Sequence, residues 1–393
     1  MTVLQAGVAE EVGLDSARIE RARELIHEQV DSGRSPGISA VVARRGRIVL
    51  QEAVGARTPS GDPMLADSVF PIASATKPIT AAVVMSLVEE GRIGLLQGVR
   101  DYIPELPPEV GEGVLIHHLL THTGGFDSPV WTGKLRTRML HHGEEDLVWG
   151  RDRFVNAFLG CMAGLERRKP PGAGMLYANI SYELLGEIAR RVSGTSLGEL
   201  MLSRIFHPLG MASTAMTPDD ALRARMVERN PAGPMGTDYL TAMFGCDMET
   251  MLPSDSAGAG VVSTALDNVR FGQMVLNGGT FNGQRVLSKA SVDAMTTNQI
   301  PAVPDVLFGH AEASWGYGFS VICHERWPYF GGGLVPPGSV THTGAGGIDH
   351  WIDFDNEIVG AYFEIVTEMS DMMEPISSAG HRFQDVITSA VID

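Results

Sequence analysis

The sequence predicts an α/β protein whose sheet-bearing domain is split in two by an inserted, mainly helical region. Segments rich in β-branched residues lie near both ends of the 393-residue chain, and helical patterns flank them. The middle of the chain instead shows short helical stretches between Pro- and Gly-rich loops, with little alternation. We therefore expect an α/β domain formed by residues 1–95 and 253–393, with residues 96–252 as a mainly helical domain.

The first third of the chain supplies the clearest elements. A helix capped by Asp15 is predicted to end near Asp31. Strands 37–43 and 47–54 are predicted to form a hairpin. An apolar helix is predicted from about Ala75 to Glu90, with Gly91 at its C′ position. A Pro/Gly/Ser-rich loop at 58–63 separates the hairpin from the apolar helix.

The remaining elements are assigned more coarsely. The predicted helices are 115–120, 153–159, 181–192, 197–205, 267–276 and 374–392, and the predicted strands are 258–263, 317–323, 339–343, 347–354 and 357–366.

Charge and cysteine content exclude several classes of function. Lys and Arg number 30 against 47 for Asp and Glu, a net charge of −17, which argues against binding to nucleic-acid backbones and to anionic membranes. Cys161, Cys246 and Cys323 are far apart with no CxxC, so neither a disulfide framework nor a structural zinc site is expected. We expect no cofactor and no metal.

The location of the protein is an expectation only. No secretory signal and no run of about 18 apolar residues is found, so a cytoplasmic protein is the default, with a periplasmic one open if a leader was removed. The expected partner is a small-molecule ester or amide substrate, and homo-oligomerisation stays open.

The first candidate site is Ser74-x-x-Lys77, at the start of the predicted apolar helix. Residues three apart on a helix lie on one face, so an amine with a depressed pKa can take the proton of the serine. The helix N-terminus also points backbone amides at developing negative charge. The alternative is a solvent-facing pair, since this spacing often arises by chance. The preceding Phe70-Pro71-Ile72-Ala73 argues for a buried setting.

The second candidate is Tyr177-Ala178-Asn179, which follows a Pro/Gly-rich loop at 170–174. A tyrosine has an ordinary pKa of about 10. A neighbouring lysine ammonium would favour the phenolate, and the pair could then relay a proton between nucleophile and leaving group. Ser181 or Asn179 could cap the next helix. The alternative is a Tyr packed at a domain interface, with Asn179 as a turn residue.

The third candidate is the run from Thr341 to Gly347, in which His342, Thr343 and Gly344 precede Ala345. Small residues at the end of a β-branched strand let a substrate approach the backbone, and an amide there can serve as an oxyanion donor. The alternative is an ordinary glycine-rich strand end.

The three motifs together, in this order, resemble the serine β-lactamase and penicillin-recognising superfamily. The resemblance covers roughly residues 15 to 390 and is closest to its class C branch, to DD-peptidases and to family VIII carboxylesterases. The segments 119–125, 206–211 and 257–263 are also similar to that superfamily. The resemblance implies an antiparallel sheet flanked by helices with an inserted all-helical domain, which is the β-lactamase/transpeptidase-like fold.

The resemblance also implies roles for the candidate residues. Ser74 would be acylated, with Lys77 and Tyr177 as the proton relay, and the backbone amides of Ser74 and Ala345 would form the oxyanion hole. Asn179 would orient Lys77 and hold a substrate carbonyl, and His342, Thr343 and Gly344 would line the substrate. The lactamases usually carry lysine where His342 stands. A histidine is mostly neutral at pH 7, so strong binding of a β-lactam carboxylate is not expected.

Other patterns are interpreted as structural. Gly194-Thr195-Ser196-Leu197-Gly198 matches a nucleophile elbow but follows a helical stretch, so Gly194 is expected to end one helix and Ser196 to cap the next. His117, His118 and His122 lack the carboxylate of a zinc-protease motif. We expect a solvated loop around His141–Asp146. The pocket candidates are Trp131, Trp149, Trp315, Tyr317, Met243, Phe244, Met248 and Met251.

The sequence thus predicts a serine hydrolase that forms an acyl-enzyme on Ser74, with an ester of a small to medium acyl group as substrate. A D-amino-acid peptidase or amidase, or a weak β-lactamase, is the alternative. A non-catalytic or acyl-transferring relative that keeps the pocket for binding also stays open.

Overall fold

The structure is a computed structural model that describes residues 4–126, 167–244, 255–306, 309–323, 331–368 and 379–393. Its centre is a seven-stranded sheet with the strand order β1-β3-β2-β11-β10-β9-β8. The strands are β1 Gln5–Ala6, β2 Gly37–Arg44, β3 Arg47–Gly55, β4 Phe70–Pro71, β5 Val262–Ser263, β6 Thr280–Phe281, β7 Gln284–Arg285, β8 Ser320–Val321, β9 Val340–Gly344, β10 Ile348–Asp353 and β11 Ile358–Glu364. β4 pairs with β5, and β6 with β7, outside the main sheet.

The pairing within the main sheet is antiparallel except at one edge, where the short β1 lies parallel to β3. The predicted hairpin is confirmed: β2 and β3 are joined by Arg45 and Gly46, both with positive φ (49° and 75°), as a two-residue hairpin turn requires. β2 also pairs with β11, which joins the two ends of the chain in one sheet. The expected fold is therefore confirmed.

The helices surround this sheet. In the described residues the α-helices are α1 Ser16–Asp31, α2 Thr76–Glu89, α3 Val99–Tyr102, α4 Pro108–Gly111, α5 Ile116–Leu120, α6 Asn179–Ser193, α7 Leu197–Met201, α8 His207–Leu209, α9 Asp220–Arg223, α10 Thr237–Phe244, α11 Ala265–Leu276, α12 Lys289–Thr296 and α13 Ala379–Ser389. Short 3₁₀ turns cover Ala9–Val12 and Ala73–Ala75, and Leu202–Phe206 forms a π-helical turn.

Both faces of the sheet are covered, which explains why β2 is an uninterrupted buried run. Ala40 and Val42 face the cluster formed with α1 and α13, whereas Val41 and Ala43 face the larger core that contains α2 and α11. Asp15 caps α1 as predicted, accepting from the amide of Ala17 at 2.8 Å. α2 lies deep in the larger core, so its N-terminal turn is held rigidly.

The predicted strand 258–263 is too long, since only Val262–Ser263 pairs. The reason is that the preceding residues bond to side chains: the Val261 amide donates to Thr76 Oγ1 and the Gly258 amide to Glu183. The predicted helix 153–159 lies outside the described residues. The boundaries at 95 and 253 between the two proposed domains stay a prediction.

Of the helices that the structure describes, none combines the length and apolar composition that crossing a bilayer demands.

Candidate active site

Ser74 lies in a 3₁₀ turn that continues directly into α2. From residue 68 to residue 87 it is the one partly exposed position in a run that is otherwise buried. The preceding Ala73 has φ 46°, a left-handed conformation that costs a non-glycine residue about 1–2 kcal/mol. The chain thus bends sharply just before α2, and the bend leaves the Ser74 hydroxyl accessible.

Lys77 contacts Ser74 as the spacing predicts. Its Nζ lies 3.0 Å from Ser74 Oγ and donates a second hydrogen bond to the Gly258 carbonyl at 2.9 Å. The side chain is completely buried. Burial lowers the pKa of Lys77 to about 7, and the nearby Glu183 opposes part of this change. A substantial fraction of the amine is therefore unprotonated near neutral pH and able to take the serine proton.

Tyr177 lies against the same amine, 5.0 Å from Lys77 Nζ to the centre of the phenol ring. Burial raises the pKa of Tyr177 well above its usual range, and the adjacent Ser74 opposes only part of this rise. The buried hydroxyl makes no hydrogen bond of ordinary geometry with any residue that the structure describes. The expectation of a phenolate stabilised by an ammonium is wrong, because burial disfavours the charged form of both partners. Tyr177 is a neutral phenol that can donate a proton.

Asn179 is the first residue of α6, and the predicted cap by Asn179 or Ser181 is wrong. Ala178 is the N-cap residue and provides no side-chain hydrogen bond. Asn179 Oδ1 is buried without a partner, and Lys77 donates to Gly258 instead. Among the described residues Oδ1 of Asn179 therefore has no partner, and it is an acceptor that a substrate could use.

His342 faces Tyr177, with 6.2 Å between the ring centres. Its Nδ1 lies 2.8 Å from the Thr343 carbonyl, which can only accept, so Nδ1 carries the proton. The buried Nε2 is then an acceptor, and no described residue pairs with it. Burial lowers the pKa of His342 to about 3, with the Lys77 charge adding to the effect. The ring therefore stays neutral at all pH values at which the enzyme would work.

Gly344 brings the end of β9 next to the nucleophile. A Cβ at this position would lie 2.1 Å from the Ile72 carbonyl oxygen, two residues before Ser74, so only glycine allows the approach. Thr343 and Ala345 are partly exposed. β9 packs against the turn that carries Ser74. The three predicted motifs, around 74–77, 177–179 and 342–345, therefore meet in one place.

Three residues that lie at the site were not predicted from the sequence. His122, with φ 57°, accepts from the Ala178 amide at 3.2 Å and packs on Tyr177 with 4.3 Å between ring centres. Glu183 is buried one helical turn after Asn179. Arg229 donates to the Gly346 carbonyl at 2.5 Å, and its buried Nε and Nη2 have no partner among the described residues. The four-residue spacing of Asn179 and Glu183 was the one available signal.

The alternative motifs are structural, as expected. Gly194 ends α6 with φ 77°, and Ser196 caps α7 by accepting from the Glu199 amide at 3.2 Å. His118 accepts from the Leu115 amide, and His117 hydrogen-bonds to the Tyr317 hydroxyl. Among the described residues, no group of three potential ligands could hold a metal ion.

The pocket candidates have different outcomes. Trp315 lies beside the site, with its ring centre 5.9 Å from that of Tyr177 and 5.7 Å from that of His342. The other predictions for this region concern residues or side chains that the structure does not describe. These are Trp131, Trp149, Met243, Phe244, Met248, Met251 and the predicted solvated loop His141–Asp146.

Comparison with known proteins identifies the family. The sequence model of the Beta-lactamase family matches residues 22–367. The chain belongs to this family. Two similar proteins are penicillin-binding protein 4 of Amycolatopsis lactamdurans, 33% identical over 69% of this chain and 67% of that protein, and esterase EstB of Burkholderia gladioli, 33% identical over 50% of this chain and 52% of that protein.

A solved family VIII carboxylesterase has the same fold, with a TM-score of 0.71 at 22% identity, and the match covers 94% of this chain and 99% of that one. The Beta-lactamase family member described here is a serine hydrolase of the β-lactamase/transpeptidase-like fold.

Proposed function

We propose that this family member is a carboxylesterase for small to medium acyl esters, working through an acyl-enzyme on Ser74. The observation that carries the proposal is the 3.0 Å contact between Ser74 Oγ and the buried Lys77 amine. In acylation the amine takes the serine proton while Oγ attacks the ester carbonyl. The backbone amides of Ser74 and Ala345 would stabilise the resulting oxyanion.

The neutral Tyr177 completes the relay. Its hydroxyl would pass a proton to the departing alkoxide and regain one from the Lys77 ammonium. In deacylation the same pair would act on water in the reverse direction. An alkoxide demands less prior protonation than an amine does, so a phenol with a raised pKa suffices for an ester. The leaving group is thus the first reason for preferring esters.

The second reason is the charge of the substrate-facing strand. His342 is held neutral and presents an acceptor nitrogen, whereas a lysine at that position would present a cation. A neutral histidine of this kind provides no electrostatic attraction for a substrate carboxylate. The similarity to EstB and to a family VIII carboxylesterase supports the same choice.

A second candidate function is amide cleavage on a substrate that carries a carboxylate, as in D-amino-acid peptides. The guanidinium of Arg229 favours it, since its buried Nε and Nη2 lie beside Gly346, one residue after Ala345, and have no partner in the part of the chain that the structure describes. A buried cation without a counter-charge is costly, and an anionic ligand would relieve that cost. In this function Arg229→Met would weaken carboxylate-bearing substrates and leave neutral esters unaffected.

Three substrates separate these functions. Hydrolysis of p-nitrophenyl butyrate without hydrolysis of nitrocefin or D-Ala-p-nitroanilide supports the esterase. The reverse pattern supports amide cleavage, and of the two amide substrates only nitrocefin carries the carboxylate that Arg229 would bind. Ser74→Ala should abolish hydrolysis, whereas the matched control Ser196→Ala should retain it. No turnover, together with no adduct from a serine-reactive phosphonate, would indicate a binding protein instead.

A further inference from the structure

The segment from Ser256 to Val261 is tied to the first turns of α2. Thr80 Oγ1 donates to the Ala257 carbonyl at 2.7 Å, and the Val261 amide donates to Thr76 Oγ1 at 3.2 Å. Between these two bonds, Lys77 Nζ donates to the carbonyl of Gly258. The position of the Lys77 amine therefore depends on the position of this segment.

Glu183 holds the same segment from the opposite side. Its carboxylate is 2% exposed and accepts from Ser256 Oγ at 2.7 Å, from the Ala257 amide at 3.1 Å and from the Gly258 amide at 3.1 Å. Burial raises the pKa of Glu183, and the three donors, together with the nearby Lys77, oppose part of that rise by stabilising the ionised carboxylate. Deep burial of an unpaired acid is expensive, so this arrangement calls for a role.

The carboxylate and the amine approach the same point of the backbone. A Cβ on Gly258 would lie 3.2 Å from Glu183 Oε1 and 3.7 Å from Lys77 Nζ. No direct ion pair joins the two side chains in the described structure, so the charges act across the glycine rather than by contact. A side chain at Gly258 would enter the space between them and require the Glu183 carboxylate to shift by a few tenths of an ångström.

We propose that Glu183 is a positioning residue for the nucleophile: its carboxylate anchors the 256–258 segment that holds the Lys77 amine, and supplies the negative charge facing that amine. The inference rests on the proposed function only for its catalytic consequence. The arrangement itself is formed by the hydrogen bonds above. Its effect is to hold the amine against Ser74 and to keep its pKa from falling further than burial alone would take it.

The other titratable groups around the amine are neutral near pH 7, because burial disfavours their charged forms. They are Tyr177, Tyr182, His122 and His342. Glu183 is therefore the group whose charge raises the pKa of Lys77, and neutralising it should have a measurable effect on that residue alone.

The chain contains four lysines, Lys77, Lys134, Lys169 and Lys289, so its lysine side chains can be followed individually. We would label lysine with ¹³C and titrate the ε-methylene signals, assigning Lys77 with Lys77→Arg. In the wild-type protein one midpoint is expected near pH 7. In Glu183→Gln that midpoint should fall by about one pH unit, as for loss of an opposite charge a few ångströms away.

In Glu183→Gln the acid-side midpoint of the kcat/KM profile should also fall by about one pH unit. The value of kcat should fall about tenfold or more, because the 256–258 segment loses its anchor. Glu187→Gln is the matched control: this glutamate is also buried on α6 but is paired with Arg190 and Arg191, so the Lys77 midpoint should stay in place. An unchanged midpoint in folded Glu183→Gln would overturn the inference.

Should Glu183→Gln fail to fold, Glu183→Asp tests the anchor while keeping the charge. Its shorter side chain cannot reach all three donors, so kcat should fall while the Lys77 midpoint stays near 7, and wild-type kcat would refute the anchoring role. The titration needs no substrate. A wild-type protein without hydrolysis or phosphonate labelling would refute the proposed function, and the midpoints would still decide the role of Glu183.

Discussion

The pH dependence of hydrolysis tests the assignment of the base most directly. With the pKa of Lys77 near 7, the fraction of unprotonated amine is about one half at pH 7 and about 1% at pH 5. We therefore expect kcat/KM for p-nitrophenyl butyrate to fall about 100-fold from its plateau to pH 5, with a slope of about one logarithmic unit per pH unit.

The alkaline side of the profile is equally specific. Because burial keeps Tyr177 protonated, its hydroxyl can donate throughout the accessible range, and the plateau should extend from about pH 8 to the onset of alkaline unfolding. Initial rates from pH 5 to pH 10 at constant ionic strength, corrected for spontaneous ester hydrolysis, provide the test. A profile that keeps rising above pH 9 would refute the reasoning, since it would identify a base with an ordinary lysine or tyrosine pKa.

Three substitutions test the same site. Lys77→Met should abolish hydrolysis yet stabilise the fold by about 2–3 kcal/mol at pH 7, because removing the cost of lowering a lysine pKa from about 10.4 to about 7 outweighs two lost hydrogen bonds. Between about pH 7 and 10 the unfolded wild-type chain binds one more proton than the folded one, so the wild-type fold becomes more stable as the pH rises. The difference in the free energy of unfolding between Lys77→Met and the wild type, measured in urea, should therefore shrink over this range. A variant less stable than the wild type at about pH 7 would contradict the prediction. Tyr177→Phe should lower kcat by about 100-fold with an unchanged acid limb, and a near-neutral effect would leave Lys77 as the sole relay. Gly344→Ala should displace β9 from Ile72 and lower kcat/KM by about 100-fold with little change in circular dichroism, whereas wild-type activity would show that the close approach is not required.

Local sequence patterns correctly predicted the elements that are stabilised by interactions between residues close in sequence. The hairpin of β2 and β3 follows from β-branched runs around a turn with Arg45 and Gly46, and α1 follows from a capping Asp15 with apolar spacing. The contact of Ser74 with Lys77 belongs to the same class, because a three-residue spacing on one helical turn brings the side chains together in any fold.

Predictions failed where neighbours distant in sequence determine the outcome. Asn179 was a reasonable cap by composition, but its side chain stays uncommitted. The segment before Val262 looked like a strand, but its backbone groups bond to Thr76, Thr80 and Glu183. For this segment the competing partners are supplied by other elements of the core, which no local pattern records.

The order of residues was enough to predict the hydroxyl, the amine and the phenol, and the sheet-and-helix framework that carries them. The charges of these groups, in contrast, depend on the folded chain. Burial around Lys77, Tyr177 and His342 is created by segments more than 80 residues apart, and it makes the amine a base at neutral pH, the tyrosine a neutral donor and the histidine uncharged. A pKa depends on the surroundings of a group, and those surroundings exist only once the chain has folded.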